Sequence, residues 1–353
     1  MFLNHTLNRP GIQAALLSAL LFGASTPLAK ILLTSVSPWM LAALLYLGSG
    51  LGLSLYRILR RSQRVRLTRH DTFWFAASVL AGGIIAPVLF MMGLREAVAA
   101  NASLLLNAES VFTTLLAWWV FKENFDRRIA WGMAAIILGM LLLSWPTTGQ
   151  LQITYRQFWP SLAIIGACFA WGIDNNLTRK ISLNDTSWIA ANKGWVAGSV
   201  NLGLALLAGE TLPALPDMGA ALLLGFLAYG VSLALFVVGL RHLGSARTGA
   251  YFSSAPFVGA VLSLLLGAPF TLGLGIAALL MGWGIWMHLS ETHAHEHHHE
   301  ALEHDHLHTH DAHHQHPHAV PVMPGTRHRH LHQHEPLTHS HPHTPDMHHL
   351  HRH

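Results

Sequence analysis

The sequence has few charged residues and a single cysteine. Asp, Glu, Lys and Arg make up 11% of its 353 residues, while 52% of the residues are hydrophobic. Soluble domains contain roughly 25% charged residues, so this composition excludes an ordinary soluble globular protein. Cys168 lies in an apolar stretch and has no other cysteine to pair with. An intramolecular disulfide is therefore excluded, and no oxidising compartment is indicated.

The usual signatures of enzymes are also missing. The sequence contains no phosphate-binding glycine-rich loop, no ATPase domain and no grouping typical of a catalytic nucleophile. We therefore predict that the protein is not an enzyme and that it requires no cofactor. Nothing in the sequence indicates a nucleic-acid partner.

What the sequence does contain is a series of apolar stretches of about twenty residues, separated by short loops that hold nearly every Arg and Lys. Twenty residues of α-helix cross roughly 30 Å of hydrocarbon. The pattern predicts an all-α membrane protein with ten transmembrane helices, whose partner is the lipid bilayer. The predicted spans are residues 11–33, 37–57, 72–94, 97–121, 128–145, 159–181, 188–208, 219–240, 243–268 and 271–289.

The basic residues of the loops favour one orientation of these spans. With a cytoplasmic N-terminus, nearly all loop Arg and Lys residues lie on the cytoplasmic side, and only Arg95 and Arg156 lie on the other. Such a bias is typical of membrane proteins whose positive loops stay inside. It predicts a multi-pass protein of a bacterial-type inner membrane with both termini cytoplasmic.

The two halves of the apolar region resemble each other at nearly constant offsets, which indicates an internal repeat. Five spans per repeat is an odd number, so the second repeat must be inverted relative to the first, with a substrate site near the bilayer midplane. We predict repeats at residues 1–145 and 146–289. The matching positions are Phe22, Gly23, Leu28 and Lys30 with Trp171, Gly172, Leu177 and Arg179; Phe90, Gly93, Leu94, Arg95 and Ala100 with Phe236, Gly239, Leu240, Arg241 and Ala246; and Gly132 and Gly139 with Gly275 and Gly282.

Three stretches carry a resemblance to a known family: Ala19 through Lys30, Gly93 through Glu123, and Gly239 through Pro256. Over residues 11–289 the chain resembles the drug/metabolite transporter superfamily, EamA type. The resemblance implies a small-molecule carrier, often an exporter of amino acids, amines or drugs, that an ion gradient drives. One position departs from the family pattern: the second repeat has Ala255-Pro256, a pairing that the family favours in both halves, where the first repeat has Glu109-Ser110.

Intramembrane polar residues are the candidates for substrate binding or ion coupling, because a charge near the bilayer centre costs roughly 2.5 to 3.5 kcal/mol on insertion scales. Glu109 lies about twelve residues into the fourth span. It is either a proton or cation site or a neutral, hydrogen-bonded carboxyl group. Asp174 and Lys193 lie at a similar depth and are expected to pair, as a structural ion pair or as a gate. The further candidates are Asn175, Asn107 and Pro256.

The segment from residue 290 to 353 differs from the rest of the chain. It holds all but four of the 28 histidines and contains no Phe, Trp or Tyr, so we predict a disordered tail without a core. Dense imidazoles predict binding of Zn²⁺, Ni²⁺ or Co²⁺; the alternative is a tail that only buffers or senses metal or pH. The candidate metal ligands are His293, His295, His297, His298, His299, His304, His306, His308, His310, His313 and His314.

Three functions stay open from the sequence. The first is a secondary transporter, acting as an exporter of a small metabolite and coupled to an ion such as the proton, with a metal-binding tail. The second is a transporter of Ni²⁺, Co²⁺ or Zn²⁺ itself. The third is a metal sensor or buffer that transports nothing. A homodimer is also left open.

Overall fold

The structure is a computed structural model of the chain. It describes residues 10–62, 65, 67–121, 127–145, 155–181 and 185–289, together with four short segments of the tail. The helices belong to one compact unit and the tail strands to another, and each unit is described by itself.

Helices dominate the described residues of the first unit. The α-helices are α1 Pro10–Leu32, α2 Pro38–Leu59, α3 Arg69–Ser78, α4 Ala86–Glu96, α5 Ala99–Leu105, α6 Ala108–Phe121, α7 Arg127–Ser144, α8 Tyr155–Ile181, α9 Thr186–Leu207, α10 Leu215–Gly225, α11 Ser232–Phe252, α12 Ala255–Leu265 and α13 Leu272–Leu289; the first π segment is Val79–Ile85 and the second π segment is Phe226–Val231.

These helices confirm the all-α membrane fold that the sequence predicts, because each of the ten predicted spans coincides with described helix. Four of the predicted spans lie on helices that are shorter or more polar than the others. The shorter ones are Ala255–Leu265 and Leu272–Met287, and the long but more polar ones are α8 and α9. Six segments are by themselves long and apolar enough to cross a membrane: Gly11–Leu32, Pro38–Leu59, Asp71–Glu96, Ala99–Val120, Arg127–Ser144 and Leu215–Gly239.

Helices of one repeat pack mainly on helices of the other. Helix α2 packs along α9 and helix α7 packs along α13, and these are the second and fifth helices of the two repeats. Helix α1 packs on α11 and α12, while its counterpart α8 packs on α4 and α6. The core is therefore built between the repeats and not within each one.

Glycines allow some of these helices to approach closely. A Cβ atom built on Gly48 of α2 would overlap the carbonyl oxygen of Leu222, and one built on Gly225 of α10 would overlap that of Leu45. Small residues serve this purpose in membrane helices, where close van der Waals packing drives association. Large apolar side chains such as Leu55, Leu141 and Leu279 lie exposed on the outside, as a lipid-facing surface requires.

The third helix of each repeat is interrupted by a π segment. At the end of the first, the N–H of Ala86 bonds the carbonyl of Ala81, and at the end of the second, the N–H of Ser232 bonds that of Leu227. These bonds span five residues instead of four, which widens the helix locally. The apolar periodicity of the sequence does not predict such a change.

The predicted turn between the eighth and ninth spans lies within helical backbone that runs from Ser232 to Phe252. The rings of Phe236 and Phe252 nevertheless lie 4.9 Å apart, although a straight helix would separate these residues by about 24 Å along its axis. A Cβ atom on Gly239 would likewise meet the Thr248 side chain at 2.8 Å. The backbone therefore reverses direction between Gly239 and Thr248, as the two predicted spans require.

The tail, for which the sequence predicts disorder, contains four short segments that the structure describes. The structure describes four six-residue strands there: β1 Ala294–His299, β2 Glu303–His308, β3 His328–Gln333 and β4 Leu337–Pro342. Strand β1 pairs antiparallel with β4, and β2 with β3. Strand pairing provides hydrogen-bond partners for backbone N–H and C=O groups without an apolar core. The composition of the tail therefore does not exclude paired strands. Two-stranded ribbons of this kind are marginally stable in water.

Candidate functional site

The fourth helix of the first repeat and the ninth span are both broken near their middle. Helix α5 ends at Leu105 and α6 begins at Ala108, while α11 ends at Phe252 and α12 begins at Ala255 with Pro256 in its first turn. Interrupted helices at corresponding positions of two inverted repeats are typical of transporter binding sites. Glu109 lies in the first turn of α6 at the first of these breaks.

Glu109 makes a hydrogen bond to the other repeat. The side-chain nitrogen of Asn175 in α8 donates to one carboxylate oxygen of Glu109 at 2.7 Å and lies 3.3 Å from the hydroxyl of Thr113. The neighbouring Asn176 donates from its side chain to the backbone carbonyl of Thr113 at 3.1 Å. The first two turns of α6 are thus tied to α8 by amide groups.

Asp174 and Lys193 form the ion pair that their predicted depth suggests. Both side chains are buried, at 9% and 8% exposure, and the ammonium group of Lys193 donates to one carboxylate oxygen of Asp174. The hydroxyl of Thr178 donates to the other oxygen at 2.9 Å. Pairing offsets the desolvation of both charges, so that neither stands alone in the interior.

The first π segment lies against this ion pair. A Cβ atom on Gly82 would overlap the Asp174 carboxylate, so the pair requires glycine at this position. The carbonyl of Gly82 accepts hydrogen bonds from the hydroxyl of Tyr46 at 2.6 Å and from the indole nitrogen of Trp171 at 3.1 Å. The backbone carbonyls of the π segment are thereby satisfied by side chains of other helices.

The next carbonyl of the same segment is bonded in a similar way. The side-chain nitrogen of Asn201 donates to the carbonyl of Gly83 at 3.0 Å. Its side-chain oxygen is buried and has no partner within the described part of the chain. Asn201 therefore supports the π segment and is itself only partly satisfied.

Aromatic rings from both repeats form a continuous chain beside the second π segment. Tyr46 contacts Tyr229 at 5.3 Å between ring centroids, Tyr229 contacts Phe22 at 5.9 Å, and Phe22 contacts Phe252 at 5.3 Å. Phe252 in turn contacts Phe236 at 4.9 Å. We call these five residues the aromatic chain.

Two predicted site residues do not join this cluster. Asn107 is buried at the break between α5 and α6, where its side-chain nitrogen donates to the carbonyl of Leu104 at 3.0 Å and lies 3.6 Å from the sulfur of Met281. Pro256 is buried in the first turn of α12. Both lie at helix ends, and the side-chain partners of Asn107 within the described residues are Leu104 and Met281.

The predicted tail ligands fall into two groups. His293, His310, His313 and His314 lie outside the described residues. The backbone of the others lies on β1 and β2. The residues on these strands are His295, His297, His298 and His299 on β1 and His304, His306 and His308 on β2.

The described side chains offer no ready metal centre. Among them, no three His, Cys, Asp or Glu side chains converge on one point. Glu109 and Asp174 therefore lack a third ligand in this part of the chain.

Two inverted repeats with broken helices around a charged and aromatic interior define a polytopic membrane transporter. The chain belongs to the EamA-like transporter family, whose model matches residues 9–145 and again residues 158–290, within the drug/metabolite transporter superfamily. The match at two places shows that the chain contains two repeats of this family. Members of this family are transporters and not enzymes.

Several related proteins agree with this assignment. An uncharacterised transporter of Methanothermobacter thermautotrophicus is 29% identical over 294 residues, which cover 78% of this chain and 85% of the relative. The uncharacterised transporter YyaM of Bacillus subtilis is 23% identical over 60% of this chain and 72% of its own length. A probable 4-amino-4-deoxy-L-arabinose-phosphoundecaprenol flippase subunit, ArnE of Pseudomonas fluorescens, is 35% identical over 83 residues, which are 24% of this chain and 70% of the subunit.

A solved crystal structure shares the fold. It superposes with a TM-score of 0.60 at 19% sequence identity and covers 78% of this chain and 95% of its own. At this identity the likeness concerns the arrangement of the helices alone.

The sequence analysis missed the aromatic chain. Aromatic residues are expected throughout membrane helices, so their presence alone carried no signal. The internal repeat could have supplied one, since the offset that pairs Phe90 with Phe236 also pairs Gly83 with Tyr229. A glycine in one repeat that corresponds to a tyrosine in the other marks a position where the repeats have diverged.

Proposed function

We propose that this protein is a secondary transporter that exports a small organic metabolite across a bacterial-type inner membrane, with both termini in the cytoplasm. In this proposal the two five-helix repeats rock about a central site, and Glu109 changes protonation between the two states. The orientation follows from the basic loops. The observation that carries the proposal is the hydrogen bond between Glu109 of the first repeat and Asn175 of the second.

This contact suits a coupling role for a physical reason. Rocking of one repeat against the other must change the distance between α6 and α8, so the carboxyl group gains or loses its amide partner with each transition. An ionised carboxylate is stabilised by a hydrogen bond from an amide and destabilised in a low-dielectric interior without one. A proton can therefore bind in one state and leave in the other.

An organic cargo is favoured over a transition-metal cargo by the chemistry of the site. Glu109 accepts from the side-chain amide of Asn175, which also lies 3.3 Å from the Thr113 hydroxyl, whereas nickel, cobalt and zinc sites rely on several imidazole, thiolate or carboxylate ligands. Asp174 precedes the Glu109 partner Asn175 in α8, and its carboxylate is engaged by Lys193.

The test is a comparison of exported metabolites. Cells that express the wild type, Glu109→Gln and Asp217→Asn are grown in parallel, and their media are compared by mass spectrometry. The compound released by the wild type is then measured in proteoliposomes under a pH gradient. We expect Glu109→Gln to abolish gradient-driven transport and Asp217→Asn, an acid-to-amide change at the start of α10, to preserve it. Gradient-driven transport by Glu109→Gln at the wild-type rate would refute the coupling role.

We further propose that the tail binds Zn²⁺, Ni²⁺ or Co²⁺, as a second function beside transport. The strand register favours it: His304, His306 and His308 of β2 lie opposite His332, His330 and His328 of β3. Alternate residues of a strand share a face, and directly opposed residues have Cβ atoms about 5 Å apart. His295 and His297 of β1 likewise lie opposite His341 and His339 of β4.

This second proposal is tested with purified full-length protein by titration with Ni²⁺ and Zn²⁺. Truncation after Leu289 should remove high-affinity binding and leave the membrane unit folded. A permuted variant exchanges His304 with Asp305 and His306 with Leu307, which preserves composition but disrupts the histidine register. We expect at least tenfold weaker binding by the permuted variant. Unchanged affinity would show that the strand register contributes nothing.

A further inference from the structure

The connection between α2 and α3 is rich in arginine. Residues 57–69 hold six arginines and neither Asp nor Glu. Arg57 is engaged, since it bonds Asp185 and Ser187 at 2.8 and 2.7 Å. Three others are exposed and have no carboxylate partner within the described residues. These three are Arg60, Arg61 and Arg69.

Arg61 has the backbone conformation that glycine usually takes at the end of a helix. Its φ is +49°, and among the described residues no other residue except glycine has a positive φ. The N–H of Ser62 bonds the carbonyl of Arg57 at 3.0 Å, and the N–H of Arg61 bonds that of Ile58 at 3.1 Å. These two bonds form a Schellman motif, in which glycine is the usual residue at the position of Arg61. A left-handed backbone is unfavourable for a residue with a Cβ atom, so glycine would make this helix end more stable.

The charge of the helix end does not require an arginine at this strained position. Cations are favourable at the C-terminus of a helix, and Arg57 and Arg60 already lie there. Backbone strain that is kept without a local benefit is typical of residues whose side chain has a function. The side chain of Arg61 is therefore the candidate for such a function.

Exposed apolar side chains precede these arginines in the last turn of α2. Ile58 and Leu59 are 72% and 75% exposed. The guanidinium group of Arg60 lies 5.9 Å from the ring centroid of Tyr56, one turn earlier on the helix. We call Tyr56, Ile58, Leu59, Arg60 and Arg61 the arginine turn. It combines cationic and apolar surface at the end of a membrane helix.

We propose that the arginine turn binds the headgroup of an anionic phospholipid. Arginine matches phosphate oxygens with paired N–H donors, so Arg60 and Arg61 bind the phosphate while Ile58 and Leu59 contact the acyl chains. A cluster of basic residues directly after a membrane helix is typical of binding to anionic lipids. A soluble anion would leave the two apolar side chains exposed to water. This lipid site goes beyond the transport function and does not depend on the cargo.

The test uses native mass spectrometry of the purified full chain in an uncharged detergent. The probes are dioleoylphosphatidylglycerol, which is anionic, and dioleoylphosphatidylcholine, which has the same acyl chains and no net charge. We expect the first anionic lipid to bind about tenfold more tightly than the neutral one. Arg60→Gln/Arg61→Gln should lose most of this preference. The control Arg95→Gln/Arg127→Gln, which removes two other exposed arginines, should keep it.

Variants of Arg61 separate a lipid site from a helix cap. Arg61→Gly removes both the strain and the charge, so it should raise the melting temperature in lipid-free detergent and weaken binding of the anionic lipid about fivefold. Arg61→Lys keeps the charge without the paired donors, and its binding should lie between those of Arg61→Gly and the wild type. A lower melting temperature of Arg61→Gly with unchanged lipid binding would show that Arg61 is only a cap and would overturn the inference.

Inorganic phosphate distinguishes a lipid from a free anion. A large molar excess of phosphate should displace no more bound phosphatidylglycerol than sodium chloride of equal ionic strength does. Greater displacement by phosphate would assign the arginine turn to a soluble anion. Equal binding of the two lipids by the wild type, or an unchanged preference in Arg60→Gln/Arg61→Gln, would likewise overturn the lipid site.

Discussion

The two π segments occupy corresponding places in the repeats, yet they are lined by different chemistry. In the first, Gly82 and Gly83 leave room for the Asp174–Lys193 ion pair, and their carbonyls accept hydrogen bonds from other helices. In the second, Ala228 and Tyr229 stand at the matching positions and Tyr229 joins the aromatic chain. The same backbone irregularity therefore supports a charged contact in one repeat and an apolar one in the other.

The comparison shows how an inverted repeat acquires one site. A widened helical turn frees backbone carbonyls and changes the direction of the following side chains. The side chains that fill the space then decide whether the turn accommodates charge or rings. Glu109 is joined to the charged side, because its hydrogen-bond partner Asn175 directly follows Asp174 in α8.

Breaking the ion pair should give the largest effect. Lys193→Met leaves Asp174 buried without its counter-charge, and removal of one partner of a buried pair costs about 3 to 5 kcal/mol. We expect a corresponding loss of stability in denaturant unfolding of the purified protein. The double variant Asp174→Asn/Lys193→Met should recover most of it, and a double variant as unstable as the single one would contradict this account.

A methyl group in the first π segment should give the next largest effect. Gly82→Ala places a Cβ atom on the Asp174 carboxylate, and overpacking of this kind costs about 1 to 3 kcal/mol. Gly219→Ala in α10 is the matched control, because a Cβ atom there meets nothing within 4 Å. Thermal unfolding should separate the two variants. Equal stability of the two variants would show that the backbone of the π segment shifts at little cost in free energy.

Removing the tyrosine hydroxyl groups should produce a smaller difference in stability between variants of the two π segments. Tyr46→Phe deletes the donor to the Gly82 carbonyl, and such a bond contributes about 1 kcal/mol to stability. Tyr229→Phe deletes a hydroxyl without a described protein partner and should leave stability nearly unchanged. The same unfolding measurement applies to both. Equal losses would mean that the Tyr229 hydroxyl has a structural role.

Substitution of a residue that caps a helix start should give the smallest effect on stability, and this effect should depend on pH. Ser37 caps α2, and Asp185 caps α9 and lies 2.8 Å from Arg57. Burial alone would raise the pKa of Asp185. The pKa is nevertheless lowered, because the carboxylate accepts hydrogen bonds from Ser187 and Trp188 and lies beside the charge of Arg57. Asp185 therefore binds a proton less readily in the folded state than in the unfolded state. Its contribution to stability is present at pH values above its ordinary pKa and is lost as the pH falls through its lowered pKa.

Asp185→Asn should therefore be less stable than the wild type at neutral pH, and the difference should shrink in acid. The side chain of Asp185 is 40% exposed, so solvent screening limits the effect to less than about 1 kcal/mol. Melting temperatures of both proteins at neutral and acidic pH measure it. Thr271→Ala provides a control, because the Thr271 hydroxyl accepts from the backbone N–H of Leu274 at the start of α13 and does not titrate in this range. A difference that grows in acid would contradict the assignment.

Much of the fold could be predicted from the sequence because apolar length and repeat offsets are local properties. The ten spans follow from hydropathy, and the Asp174–Lys193 pair follows from two opposite charges at one depth. The contact between Glu109 and Asn175 could not be predicted, since it depends on how α6 and α8 are rotated about their axes. The π segments were also missed, because a single inserted residue leaves the apolar pattern of a span almost unchanged.

The tail shows the opposite limit of sequence reasoning. Its lack of aromatic residues predicts that it has no apolar core, but the pairing of His304 with His332 depends on register between distant segments. Composition does not specify register. The metal-binding role of the tail and the orientation of the termini stay predictions.

Fusion of both repeats into one chain has a consequence for the number of sites. In an assembly of two identical repeats, every feature would occur twice, and a carboxylate at the position of Glu109 would face a second copy of itself. Here the second repeat has Ala255 at that position. The fused chain therefore has one carboxyl group at this pair of matching positions instead of two.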